Sequence, residues 1–141
     1  MAEQLYFEDV QEGTNIPTLE KNPTTKQLVM YAGASGDYYQ IHYDQEYARG
    51  NGLPDVILHG ALKNAFLGQL MTDFIGTQGM LKKLTVQYRG MDIPDTPIFA
   101  KGIVSKIGEN GDIECDIWLE NVNGERTTPG SAVITLPSHS G

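Results

Sequence analysis

Apolar positions in this chain recur with two different periods. Ala61, Leu62, Ala65, Phe66, Leu70, Met71, Phe74 and Ile75 return every three or four places, the spacing that lines one face of an α-helix. Gly76 follows them as a C-terminal cap. From residue 80 onward the period drops to two. Leu84, Val86 and Tyr88 alternate with Thr85, Gln87 and Arg89, and Ile113, Cys115, Ile117 and Leu119 alternate with Glu114, Asp116, Trp118 and Glu120. That is the pattern of half-buried strands. Residues 98–107 read as a further strand and residues 132–136 as the last. Asn110-Gly111 and Asn123-Gly124 mark hairpin turns, because both residue types tolerate positive φ. Pro129-Gly130, just before the last strand, predicts a bulge or a sheet edge.

The N-terminal part carries Tyr6, Phe7 and Val10 before Glu12-Gly13, then Ile16-Pro17, which reads as a short strand ending in turns. Thr24 with Gln27 three places on has the spacing of a capping box. It predicts a helix over residues 25–34 that buries Leu28, Val29 and Ala32 and stops at Ser35-Gly36-Asp37. Residues 38–48 are polar and aromatic and fit a short helix, and Asn51-Gly52-Leu53-Pro54 is loop chemistry. One long helix, apolar over a wide arc, needs to be wrapped, and a curved antiparallel sheet does that. The fold class is therefore α+β with one central helix. A length of 141 residues, without repeats or a linker-like shift in composition, fits one domain over residues 1–141.

Composition narrows the functions. Hydrophobic residues make up 40% and charged residues 20%, ordinary globular values. A net charge of −8 argues against nucleic acid or an anionic membrane surface as partner. Cys115 is the single cysteine, so no internal disulfide can form and a reducing, cytoplasmic setting is expected. The first ten residues lack the basic-then-apolar order of a signal peptide. The longest apolar stretch is broken by Lys63, Asn64, Gln69 and Asp73, too polar and too short to span a bilayer.

The candidate chemistry lies between Tyr31 and Ala65. Asp37 and His42 follow a helix stop, with four residues between them. An Asp beside a His can hold a water molecule between them, and the imidazole can relay its proton, with an unperturbed pKa of about 6.5. The alternative is that Asp37 caps the next turn and His42 packs. His59-Gly60 leads into the long helix. A glycine there leaves its N–H free at the positive end of the helix dipole, a donor suited to an enolate oxygen. It could equally relieve crowding between helix and strand.

Taken together, Tyr31-Ala32-Gly33-Ala34-Ser35-Gly36-Asp37-Tyr38-Tyr39-Gln40-Ile41-His42, then Ala48 and His59-Gly60, resemble the signature of MaoC-type hydratases and dehydratases. The resemblance implies a hot-dog fold, a long central helix wrapped by a curved antiparallel sheet, paired with a second such domain as a homodimer or heterodimer. It implies (R)-specific hydration of a trans-2-enoyl thioester of coenzyme A or acyl carrier protein, or the reverse dehydration. Asp37 and His42 would activate the water and the Gly60 amide would polarise the thioester carbonyl. No metal or redox cofactor is required by this chemistry. Two departures stand out. Tyr39-Gln40 replaces the family's Asn-Pro, and Ala65 stands where some members place a helix serine. Substitutions in this loop also occur in small subunits of heteromeric hydratases acting on bulky, steroid-like acyl-CoA.

Around this core, Tyr38, Tyr39 and Gln40 are candidate liners of the acyl site, although adjacent aromatics also pack by default. His59 is a candidate catalytic or substrate-binding residue, or a support for the loop before the helix. Lys82, Lys83 and Arg89 could meet the phosphates of the thioester carrier, or form a solvated strand end. Trp118 is a candidate dimer contact, and Asp73 and Glu46 read as surface carboxylates. A hot-dog thioesterase is the less favoured enzyme, because the first acid within the central helix is Asp73, near its far end. A non-catalytic hot-dog subunit is the third reading.

Overall fold

The computed structural model describes residues 3–140. The first helix, α1 (Thr25–Ser35), opens as its spacing predicts, with the Thr24 hydroxyl accepting from the Gln27 amide. It ends on Gly36 at φ 78°, whose amide donates to the Ala32 carbonyl. Leu28 and Ala32, one turn apart, are buried, but Val29 is exposed. The helix lies at the rim and buries only one narrow stripe, so a residue 100° around the axis falls in solvent. A single 3-10 turn (Gln40–His42) precedes the short helix α2 (Gln45–Gly50), which Asp44 caps by accepting from the Tyr47 amide. The long helix is α3 (Gly60–Ile75).

Five strands follow the hairpin signals: β1 (Asn15–Lys21), β2 (Met80–Val86), β3 (Ile98–Ile107), β4 (Ile113–Glu120) and β5 (Arg126–Thr135). All pair antiparallel, in the order β1-β3-β4-β5-β2. Gly111 and Gly124 take φ of 88° and 79° in the turns that join β3 to β4 and β4 to β5, as the Asn-Gly pairs predict. The sheet wraps α3, and Leu67, Leu70 and Met71 of the helix share one core with Ile113, Ile117, Leu119 and Ile134 of the sheet. No helix among the described residues is long and apolar enough to cross a membrane.

Four local expectations need correction. The first strand lies later than Tyr6 to Pro17 suggested. Residues 7–9 form a 3-10 turn, closed by the Asp9 carboxylate accepting from the Tyr6 amide, and β1 starts only after Gly13. Because β1 is an edge strand with a register shift between Ile16 and Leu19, it tolerates Pro17. Tyr88 falls outside β2 despite its alternation. Pro129-Gly130 lies inside β5, not before it, with Pro129 opposite Trp118 and Gly130 opposite Ile117. The Pro129 carbonyl accepts from Gln87, beyond the end of β2. Since N and C=O of one strand residue point to the same side, the missing N–H costs no ladder bond to β4. Finally, the buried face of α3 is displaced from the one expected. Ala61 and Ala65 are exposed, while Lys63 and Leu67 are buried in their place. An alanine contributes too little apolar area to decide which way a helix turns.

Trp118 packs under the Arg126 guanidinium, 3.7 Å from the ring centroid, and its Nε1 donates to Glu120. Cys115 is buried, and burial pushes its thiol up to about 12.

Candidate active site

Local hydrogen bonds shape the loop that carries Asp37. The Ser35 hydroxyl donates to the Tyr31 carbonyl at 2.7 Å and accepts from the Asp37 amide at 3.2 Å. Asp37 then divides its two oxygens: Oδ1 accepts from the Tyr39 amide at 3.3 Å, and Oδ2 faces His42 Nε2 at 3.7 Å. Capping and facing the histidine thus coexist in one side chain. Tyr39-Gln40 still makes the turn, because the Gln40 carbonyl accepts from both the Tyr43 and Asp44 amides. The Tyr39 ring meets His42 and Tyr47 edge-on, each at 6.2 Å.

His42 is buried and oriented from behind. Its Nδ1 lies 2.8 Å from the Ile57 carbonyl oxygen. A carbonyl can only accept, so in the neutral tautomer Nδ1 carries the proton and the Nε2 lone pair points toward Asp37. Two acceptors thus face each other across 3.7 Å, too far for a direct hydrogen bond. The gap is chemically suited to a species that donates to both.

His59 lies against the other face of His42, with centroids 3.8 Å apart and planes 18° from parallel. Its Nε2 donates to the Asp37 carbonyl at 3.3 Å, and the Tyr31 ring meets it edge-on at 4.9 Å. Nδ1 of His59 is buried without a hydrogen-bond partner. Burial, then the neighbouring His42, lowers the His59 pKa, although the Asp37 carbonyl and charge oppose this. Asp37, His42 and His59 bring their donor atoms within 4.8 Å of one another. In stacked rings the in-plane lone pairs run side by side instead of converging, which is poor geometry for one metal ion.

Gly60 opens α3, and no side chain caps that helix end. A Cβ at Gly60 would stand 3.1 Å from Tyr88 Cζ, so the tyrosine ring rests on the glycine and an alanine would push it away. Burial, then the nearby Tyr31, raises the Tyr88 pKa, which keeps its phenol protonated. A cleft of about 320 Å³ has His42, Gly60, Lys63, Tyr88, Arg89 and Met91 among its lining. A smaller cavity of about 180 Å³ between β1 and α3 is walled by Ile16, Leu19, Leu70 and Phe74, with Asp73 as its one ionisable lining residue.

The structure therefore brings His42, Gly60 and Arg89 to one cleft, with Asp37 and His59 set against His42. Tyr38, Tyr39 and Gln40 are exposed at the same loop. The three basic residues do not cluster. Lys82 is paired with Asp112 at 2.8 Å, the Arg89 guanidinium donates to Gln87, and Lys83 is an exposed strand residue away from the cleft lining. Missed in the sequence were Lys63 and Asp92, a buried ion pair at 3.1 Å. The one available signal was that Lys63 stands one turn before Leu67, on the face that α3 buries.

Residues 9–115 match the family described as MaoC like domain. No curated protein sequence matches the chain. Solved structures similar to it include the unliganded R-hydratase PhaJ1 from Pseudomonas aeruginosa, with 18% identity and a TM-score of 0.88 over 96% of this chain and 88% of that one. The (R)-hydratase from A. caviae involved in PHA biosynthesis is similar at 18% identity and a TM-score of 0.85, over 92% and 99%. So is a chain of the ChsH1-ChsH2 complex from Mycobacterium tuberculosis, at 17% and 0.81, over 89% and 98%. These likenesses show the fold, the hot-dog arrangement of an antiparallel sheet around a long helix.

Proposed function

The chain belongs to the MaoC-like hydratase and dehydratase family, and from that premise we propose that it adds water to trans-2-enoyl thioesters with (R) specificity, or runs the reverse dehydration. The observation that carries this reading is the protonated Nδ1 of His42, fixed by the Ile57 carbonyl, which leaves Nε2 as an acceptor 3.7 Å from Asp37 Oδ2. A water molecule donating one hydrogen to each would keep its lone pairs free for attack. As its oxygen bonds to the β-carbon, one O–H bond breaks and the proton passes to the Asp37–His42 pair. The C=C electrons move onto the thioester oxygen as an enolate, which the Gly60 N–H at the start of α3 stabilises. The enolate then collapses, and the α-carbon takes a proton from the same pair, so that one water is added overall. Tyr38, Tyr39 and Gln40 flank the acyl group in this proposal. Arg89, at the cleft, is better situated for a carrier phosphate than Lys82, whose ammonium is engaged by Asp112.

The test uses purified protein with crotonyl-CoA and a bulky enoyl-CoA, following enoyl absorbance beside release of free thiol. Loss of absorbance without thiol supports hydration; thiol release would replace it with a thioesterase. A second reading, that the chain needs another hot-dog subunit, is favoured by exposed apolar side chains on the Asp37 loop and at the cleft: Tyr38, Tyr39 and Met91. The similarity to a chain of the ChsH1-ChsH2 complex adds support. Activity that appears only on co-expression with a second hot-dog chain would establish it.

A further inference from the structure

The first turn of α3 carries a lysine that its apolar surroundings would not predict. Lys63 is 3% exposed. Its ammonium donates to the Gly90 carbonyl at 2.9 Å and to Asp92 Oδ2 at 3.1 Å, and stands 5.8 Å from the Tyr88 ring centroid. One cation thus contacts residues 88, 90 and 92 at once, through a ring face, a backbone carbonyl and a carboxylate. The grip is reinforced around it. Thr127 Oγ1 donates to Asp92 Oδ2 at 2.6 Å, the Arg89 and Gly90 amides donate to the Thr127 carbonyl, and the Leu58 amide donates to the Asp92 carbonyl.

A buried ion pair is a poor way to gain stability, since an apolar pair of similar volume often does as well or better. What it supplies is a defined geometry. Here that geometry fixes the segment bearing Tyr88, whose ring rests on Gly60 and forms one wall of the cleft that His42 lines. Building on the thioester hydratase function proposed above, we infer that Lys63 is a positioning residue and Tyr88 a specificity-determining one. Lys63 holds Tyr88 as a roof over the Gly60 amide, and the roof sets how bulky a thioester can reach the Asp37–His42 pair.

The test compares the wild-type chain with Tyr88→Ala and with the double variant Lys63→Met/Asp92→Asn, which releases the roof without leaving a lone buried charge. Hydration of crotonyl-CoA and of a branched long-chain enoyl-CoA is measured, together with calorimetric binding of butyryl-CoA and the branched saturated acyl-CoA. In both variants the ratio of kcat/KM, bulky over short, should rise about tenfold or more, the scale expected of a reshaped pocket. The change should lie in KM, and the binding ratio should move the same way. An unchanged ratio, or equal losses on both substrates, overturns the inference and leaves hydration standing. A shifted binding ratio without hydration in any form keeps the roof and removes the hydratase function. A wild type that neither hydrates nor binds overturns both. Should the double variant not fold, Tyr88→Ala decides, because that side chain is half-exposed.

Discussion

The imidazoles of His42 and His59 lie stacked, 3.8 Å between centroids and 18° from parallel. Two protonated rings at that separation would repel each other, and the cost falls on the more deeply buried one. His59 is that ring, and burial first, His42 second, lowers its pKa. A histidine with a lowered folded pKa binds fewer protons folded than unfolded. Stability is therefore complete above the ordinary histidine value of about 6.5 and declines as pH falls below it toward the folded value. The wild type should lose more thermal stability between about pH 7.5 and about pH 5.5 than His59→Gln does. Equal losses in the two proteins would show that His59 is not the group responsible.

Asp37 and His42 are proposed to share one water, so each should be needed for the same step. Asp37→Asn leaves an amide that can accept through its oxygen but cannot take the proton; His42→Ala removes the second acceptor. Each should lower kcat by roughly 10²–10⁴, the usual worth of a positioned proton-transfer group. Melting temperature should change little for Asp37→Asn, because that side chain is half-exposed. The double variant should be scarcely slower than the slower single variant, as expected for residues acting as a unit. Multiplicative losses, or near-full activity in either single variant, would remove the shared-water mechanism.

Short-range features were the ones legible in the sequence. The alternation of β4, both Asn-Gly hairpins, the Thr24 cap and the extent of α3 follow from patterns confined to neighbouring residues. The candidate site was legible for the same reason: Asp37, His42 and His59-Gly60 lie within two dozen residues, and their resemblance to a family supplied the roles proposed for them. What escaped depends on contacts distant in sequence. Lys63 reads as a break in an apolar face until Asp92, 29 residues on, and Thr127 are brought to it. Tyr88 continues the alternation of β2 and so reads as a strand residue. It leaves the strand because its segment is bound to Lys63 and to Thr127 instead. Lys82, Lys83 and Arg89 seemed one basic cluster because they are close in sequence, but an extended segment separates them and Asp112 occupies Lys82.

Gly60 should tolerate little, although its backbone dihedrals permit any residue of a first helical turn. Alanine there gains up to about 1 kcal/mol of helix propensity, and the displaced Tyr88 ring is half-exposed and can give way. Stability should therefore change by less than about 1 kcal/mol. Activity should fall through KM, because the added methyl intrudes between the amide and the tyrosine that rests on it, 3.1 Å from Cζ. Steady-state kinetics beside a urea melt would check both halves. A large loss of stability with unchanged KM would mean that the glycine serves packing alone.

Breaking the Lys63–Asp92 pair should be far more damaging than removing it. Both side chains are buried, so Lys63→Met leaves a carboxylate away from water with Thr127 as its remaining side-chain donor, and Asp92→Asn leaves an ammonium with only neutral acceptors. Each single change should cost about 3–5 kcal/mol, the usual cost of an orphaned buried charge. The double change leaves no net charge in the core and should cost clearly less than the two single costs added together. Urea denaturation of the four proteins closes this cycle and gives the coupling between the residues. A double variant as unstable as the sum of its parts would mean that the two charges do not depend on each other. Near-wild-type stability in Lys63→Met would mean that water reaches Asp92 in solution, and that the ion pair does not hold the Tyr88 segment in place.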